Sequence, residues 1–321
     1  MTAVAVERSY VIHGVGLAVC ASDPAVMAAV ERRLRTFASS DGARPAQLRM
    51  EFFSEGELTA PSGPSRPVYD TPHGQIYYFP DADALFGDLA GVRLRCDAGS
   101  GVARLQAAAF AGRALYLATH PLATISLMEL LERRGRFSLH AGCLAHDGRG
   151  VLLAGPTGAG KSTLTIALVR AGLQFVSDDV VFLAHDGDGV RVLGFPDDIG
   201  VTDATAARFQ ELAPVLDTAP ADGFPKRLTR MEDAFAASPL LECEPAALVF
   251  PEVVADRPSA LTPLDPKQAW LRLVPDVLLT EPAGTQSHLQ ALAALLAQVR
   301  CYRLESGTDL ARAVQLVADL P

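Results

Sequence analysis

The chain has 321 residues, 49% of them hydrophobic, a formal net charge of −9 and a pI near 5.3. This length and apolar content suit one large or two modest domains, two being favoured. The acidic balance argues against nucleic acid as a routine partner, because such binding needs a basic surface. The five cysteines, Cys20, Cys96, Cys143, Cys243 and Cys301, form no C-x-x-C pair and read as reduced thiols. No signal-peptide pattern and no uninterrupted run of eighteen apolar residues occurs, so a cytoplasmic protein with no membrane partner is expected.

In chain order, residues 10–20 are apolar and Gly-punctuated and read as a strand. Asp23-Pro24 then supplies an N-cap followed by proline at the first helical position. Met27, Val30, Leu34 and Phe37 recur at helical spacing, which predicts a helix to about Phe37. Residues 48–53 read as a strand, 60–67 as a long Pro/Ser/Gly-rich loop, and 75–79, 92–96, 103–110 and 114–118 as short β-like runs. Together they predict an α+β N-terminal domain over residues 1–120, built on an antiparallel sheet, that selects a substrate or builds an oligomer.

A second domain is expected over residues 121–321. It opens with an apolar helical stretch at 121–133. A buried-strand pattern follows at 150–154, a helix at 162–171 and another strand at 175–183, so that a strand, a Gly-rich loop, a helix and a strand come in succession. An Ala/Leu-rich helix capped by Ser287 is predicted over 289–299, and Thr308 or Asp309 is placed to cap a last helix ending near Leu320.

The strongest chemical signal is the run Gly155, Pro156, Thr157, Gly158, Ala159, Gly160, Lys161, Ser162, Thr163, a full G-x-x-x-x-G-K-[ST] match between a strand and a helix. Its glycines let successive backbone N–H groups face phosphate oxygens, and the helix adds the positive end of its dipole. Lys161 reaches the β/γ-phosphates, and Ser162 is placed to ligate magnesium. The pattern therefore calls for ATP or a close relative, with Mg2+. The second signal is the pair Asp178 and Asp179 on the apolar run 175–183. A parallel strand there brings both carboxylates to the loop, one for magnesium and one for a proton. A solvated strand end is the alternative reading. A third signal is His140 in F-S-L-H-A-G, one hairpin before the P-loop strand.

These three pieces, at these spacings, resemble the catalytic domain of HPr kinase/phosphorylase, which shares its fold with ATP-dependent phosphoenolpyruvate carboxykinase. The resemblance covers roughly residues 140–183. It implies an α/β P-loop domain of that type acting as a Ser/Thr kinase. In it Asp178 resembles the general base, Asp179 and Ser162 resemble the magnesium-side groups, and His140 resembles a histidine near the γ-phosphate. It also implies a homo-oligomer. The family's Leu-Glu-Ile-Arg-Gly signature is not found downstream; the nearest acidic candidates are Asp197 and Asp198, for which an Asx-type turn is the equal alternative. The loss removes the grounds for expecting HPr itself as substrate, and relatives that phosphorylate precursor peptides suggest a peptide or protein hydroxyl instead. A small-molecule kinase acting on something like serine, and a nucleotide sensor without transferase activity, stay open.

One further feature is a basic cluster in G-F-P-K-R-L-T-R over residues 223–230. Lys226, Arg227 and Arg230 are placed either to clamp the transferring phosphoryl group or to dock an acidic substrate, a solvated loop being the alternative. The remaining histidines show no metal-ligand spacing.

Overall fold

The structure is a computed structural model, and it describes residues 5–39, 45–187, 189–216, 226–235, 238–274, 277 and 280–320. These form a mixed α/β chain with two large sheets, divided into two compact units. One takes in the residues up to Arg136 together with residues 280–287, and the other holds the remainder.

In the first unit, β1 (Val6–Ile12) and β2 (Val15–Ala21) are followed by α1 (Pro24–Leu34), β3 (Leu48–Phe53), β4 (Arg66–Thr71), β5 (Gly74–Phe79), β6 (Ala84–Leu89), β7 (Val92–Asp97) and β8 (Val102–Gln106). The strands form one sheet in the order β1-β2-β3-β8-β7-β6-β5-β4. It is mixed rather than antiparallel throughout, since β2–β3 and β3–β8 are parallel. The stretch 10–20, expected as one strand, is two strands of a hairpin. His13 and Gly14 both take positive φ, 49° and 84°, which is the backbone a two-residue hairpin turn demands.

The run 114–118, expected as β-like, is helical. Helix α2 (Gly112–Leu117), a π-helical turn (Ala118–Leu122) containing Pro121, and α3 (Ala123–Glu132) follow without a break. A short apolar run does not distinguish strand from buried helix by itself. Proline inside a helix removes a donor, and here the Arg33 guanidinium donates to the carbonyls of Thr119 and His120 and to Thr124 Oγ1. By length and composition the whole helix Gly112–Glu132 would cross a membrane, but most of it is buried in the fold. Its last turn carries Glu129, completely buried, which is ion-paired with Arg133 and accepts a hydrogen bond from Thr280 Oγ1.

The second unit opens with β9 (Phe137–His146), β10 (Arg149–Ala154), α4 (Lys161–Arg170), β11 (Gln174–Ser177), β12 (Val180–Asp186) and β13 (Gly189–Gly194). Then come β14 (Ile199–Val201), α5 (Asp203–Ala206), β15 (Arg227–Thr229), α6 (Met231–Phe235), β16 (Glu242–Val253), β17 (Ala260–Pro263), α7 (Pro266–Leu273), α8 (Pro282–Gln298), β18 (Arg300–Ser306) and α9 (Leu310–Ala318). The main sheet runs β10-β9-β12-β13-β16-β18-β17, and β16 also pairs in parallel with β10. The central strands are buried on both faces, so their sequence is a continuous apolar run rather than an alternation. Cys143, Leu152 and Leu248 pack with Leu273, Leu292 and Leu295 of α7 and α8 on one side. Leu144, Val151, Leu153 and Val249 pack with Leu168 of α4 and Val317 of α9 on the other. This double layer holds the C-terminal end of β10 and the start of α4 at the sheet's rim, where ligands of open α/β sheets are met.

Candidate functional site

The link from β10 to α4 is the Gly155–Gly160 loop. Gly155, Gly158 and Gly160 adopt φ of 148°, 87° and 91°. A side chain at Gly158 would meet no atom within 4 Å, so glycine is needed there for its backbone conformation and not for space. The resulting curl exposes backbone N–H groups at the first turn of the ten-residue helix α4. Lys161, the first residue of that helix, is buried, and its Nζ donates to the carbonyl oxygens of Gly155 and Pro156, the latter at 3.4 Å. The ammonium therefore lies within the curl of its own loop. Pro156, Thr157 and Ala159 form the rest of the loop, with Ala159 N bonded to Pro156 O at 3.2 Å. Thr163 is turned elsewhere: its Oγ1 lies 2.9 Å from Thr205 Oγ1 of α5.

Residues 175–183 do not form one strand. β11 and β12 both pair antiparallel with β9, and the ladder is interrupted at Asp178 and Asp179. The interruption is held from two sides. Ser177 Oγ lies 2.6 Å from Val180 O and 2.8 Å from Phe195 O, so its single proton binds the two segments together. Opposite, β9 carries Gly142, where a Cβ would come within 3.0 Å of Asp178 O and 3.3 Å of Thr165 Oγ1. A glycine in H-A-G is thus a condition for the close approach of the double-Asp turn.

The turn sends its two carboxylates to different surroundings. Asp178 is 9% exposed and accepts a 2.7 Å hydrogen bond from Ser162 Oγ on its Oδ2. Its Oδ1 is buried with no close hydrogen-bond partner. Burial raises the Asp178 pKa above the usual carboxylate range; the Ser162 hydrogen bond opposes this, Asp179 adds to it, and Thr165 and Lys226 pull it back. Asp179 is 65% exposed, and its Oδ1 lies 3.3 Å from His140 Nδ1 on β9. The fold thus brings Lys161, Ser162, Asp178, Asp179 and His140 to one place.

The basic segment is split up. Gly223, Phe224 and Pro225 lie outside the described residues. Arg230 is completely buried, donating to Pro196 O and paired with Glu232, so it does not belong to a solvent-facing docking surface as expected. Arg227 is paired with Asp203. Lys226 runs alongside Gly200 and acts electrostatically on Asp178. Of the three, only Arg227 lies in β15, and the cluster is divided by the separate partners each residue meets. Asp197 Oδ1 accepts the amide of the next residue, Asp198, at 2.8 Å just before β14.

Thr165 and Gly142 were not singled out by the residue pattern. Thr165 lies three residues after Ser162 on α4, and helical spacing places both on one face, which is the signal that marks it.

The donor set suits the cofactors. Magnesium takes oxygen ligands, retaining waters and substrate phosphates around one or two carboxylates. Ser162 Oγ and the unpartnered Asp178 Oδ1 are such oxygens, beside a cradle free of side chains at three glycines. Among the described residues no group of three His, Cys, Asp or Glu side chains forms a metal cluster.

No protein-family model and no curated protein matches the chain. Among solved structures it is similar to the Hpr(Ser) kinase/phosphatase from Coxiella burnetii, at 14% identity over 56% of this chain and 93% of that chain, with a TM-score of 0.33.

Proposed function

We propose that the chain is an ATP-dependent kinase that transfers the γ-phosphoryl group to a Ser or Thr hydroxyl of a peptide or protein. The observation that carries this reading is the convergence of the glycine curl, the enclosed Lys161 ammonium and the Ser162–Asp178 pair at the start of one helix. Phosphoryl transfer asks little covalent chemistry of a protein and much positioning and charge stabilisation. The loop amides and Lys161 would hold the phosphates, and magnesium would neutralise charge developing between them. Of Asp178 and Asp179, one would serve the metal and the other the acceptor proton. The acceptor class rests on the motif resemblance, as does a homo-oligomer; the net charge of −9 supports a partner other than nucleic acid.

The test is incubation with labelled ATP, magnesium and a panel of peptides, proteins and free serine, for the native chain and for Lys161→Ala. Label should pass to a peptide or protein hydroxyl. The variant should remain folded and lose transfer by about a hundredfold or more, as when other charge-stabilising groups are removed. Label on free serine alone would replace the peptide reading by a small-molecule kinase. Nucleotide binding without any transfer would make the chain a sensor.

A further inference from the structure

Independently of the kinase reading, we infer that the groove between α7 and α8 binds a single-chain amphiphile with an anionic head, of the class of a long-chain alkyl carboxylate. Both helices belong to the second unit and cover the face of its main sheet opposite to α4, so the groove is separate from the P-loop.

The groove follows from helical spacing. Ala269 and Leu273, one turn apart on α7, are buried in the core, and so are Leu292 and Leu295 on α8. The adjoining faces line the groove: Lys267, Trp270 and Leu271 at i, i+3 and i+4 on α7, and Ala293, Leu296 and Ala297 at the same spacing on α8. Its volume is about 770 Å³, inside the range of roughly 300–1,000 Å³ typical of small-molecule sites. Leu271 is 73% exposed, more than any other large apolar side chain among the described residues. Covering such a side chain stabilises a complex by about 1.5–3 kcal/mol.

The lining selects the ligand. It holds one charged side chain, Lys267, on an otherwise apolar surface. Lys267 makes no ion pair among the described residues. The carboxylate nearest it in sequence, Asp265, caps α7 by accepting the Lys267 amide at 2.8 Å. One free cation beside an apolar trough matches a ligand with one negative head and an alkyl chain. The ammonium meets the head, while Trp270, Leu271 and Leu296 cover the chain. A second copy of the protein fits less well, because eight residues line the groove and a stable protein interface takes roughly 20–30 a side.

Trp270 is the chain's single tryptophan, so its fluorescence reports on the groove directly. The full chain is titrated with dodecanoate, dodecanol and dodecyltrimethylammonium, each below micelle formation, alongside Lys267→Met and Leu271→Asp. Both replaced residues are exposed, so the core is left intact. Dodecanoate should shift the Trp270 emission to the blue in a saturable way and bind more tightly than dodecanol, and dodecanol more tightly than the cation. Lys267→Met should weaken dodecanoate by about twofold to fivefold, the worth of an exposed ion pair, and leave dodecanol unchanged. Leu271→Asp should weaken both by about tenfold or more, as the loss of a covered leucine predicts. A response only once micelles form, equal affinity for anion and cation, or no effect of Lys267→Met on dodecanoate overturns the inference. A blue shift on raising the protein concentration alone also overturns it and assigns the groove to a second copy. Binding to anionic phospholipid vesicles without any response to dodecanoate overturns it in favour of a membrane surface.

Discussion

Gly142 illustrates how one position governs the candidate site without taking part in its chemistry. Its Cα passes so close to the Asp178 carbonyl and the Thr165 hydroxyl that a methyl group would sit 3.0 and 3.3 Å from them. Both neighbours are fixed, one as backbone and one as a buried side chain on α4, so the strain has no cheap outlet. Gly142→Ala is expected to cost about 1–3 kcal/mol in chemical denaturation, the usual range for overpacking. It should also weaken magnesium-dependent nucleotide affinity, because the turn that carries Asp178 must move. Unchanged stability together with unchanged affinity would show that the turn yields freely. At this scale the glycine loop between strand and helix was readable from the pattern, since its curl needs glycine at set spacing. The approach of Thr165 and Gly142 to Asp178 was not, since they meet it only across separate elements.

At the scale of elements, the continuous helix Gly112–Glu132 departs most from its sequence pattern. Its first turns read as β-like, and Pro121 reads as a helix start. The structure instead runs the helix through proline as a π-helical turn, with Arg33 of α1 donating to the Thr119 and His120 carbonyls before it and to Thr124 Oγ1 after it. A side chain distant in sequence thus bonds to the carbonyls of the π turn. Arg33→Met keeps length and apolar packing but withdraws the donor to the buried Thr119 carbonyl, at a cost of about 1–3 kcal/mol. Urea denaturation would measure the loss, and an unchanged midpoint would mean that the turn does not depend on Arg33. The break between β11 and β12 is the same lesson in a sheet. Residues 175–183 are apolar enough for one strand, yet Ser177 ties the chain to Phe195 O and the ladder resumes only at Val180.

For the molecule as a whole, the chain leaves its first unit at Arg136 and returns to it with residues 280–287. That return is fastened partly by Thr280, which donates to Glu129. Burial pushes the Glu129 carboxyl up to about 7, against the pull of Arg133. The sign follows from linkage. Below about pH 4.5 both folded and unfolded chains hold the proton and the group contributes nothing. Between there and about pH 7 the unfolded chain releases a proton that the folded chain retains, so stability falls as pH rises, by at most roughly 3 kcal/mol at about 1.4 kcal/mol per pH unit. Glu129→Gln should flatten that slope even if it lowers stability at every pH by removing one of the carboxylates paired with Arg133, which keeps Asp83. Equal slopes for the two proteins between pH 4.5 and 7 would sink the assignment.

Read from the residues alone, the glycine loop between a strand and a helix, the hairpin that carries His140 and the strands at 48–53 and 92–96 were legible, because each is a local pattern whose geometry or periodicity lies within a few residues. The tertiary structure decided the rest. It broke one apparent strand into a hairpin at His13–Gly14 and another at Asp178–Asp179, and it carried α3 into the first unit. It buried Arg230, paired Arg227 and left Lys226 beside Asp178. It enclosed one aspartate against Ser162 while leaving the other exposed beside His140. These outcomes depend on which distant strand or helix covers a side chain, and therefore on burial and pairing across the fold, which no spacing along the chain encodes.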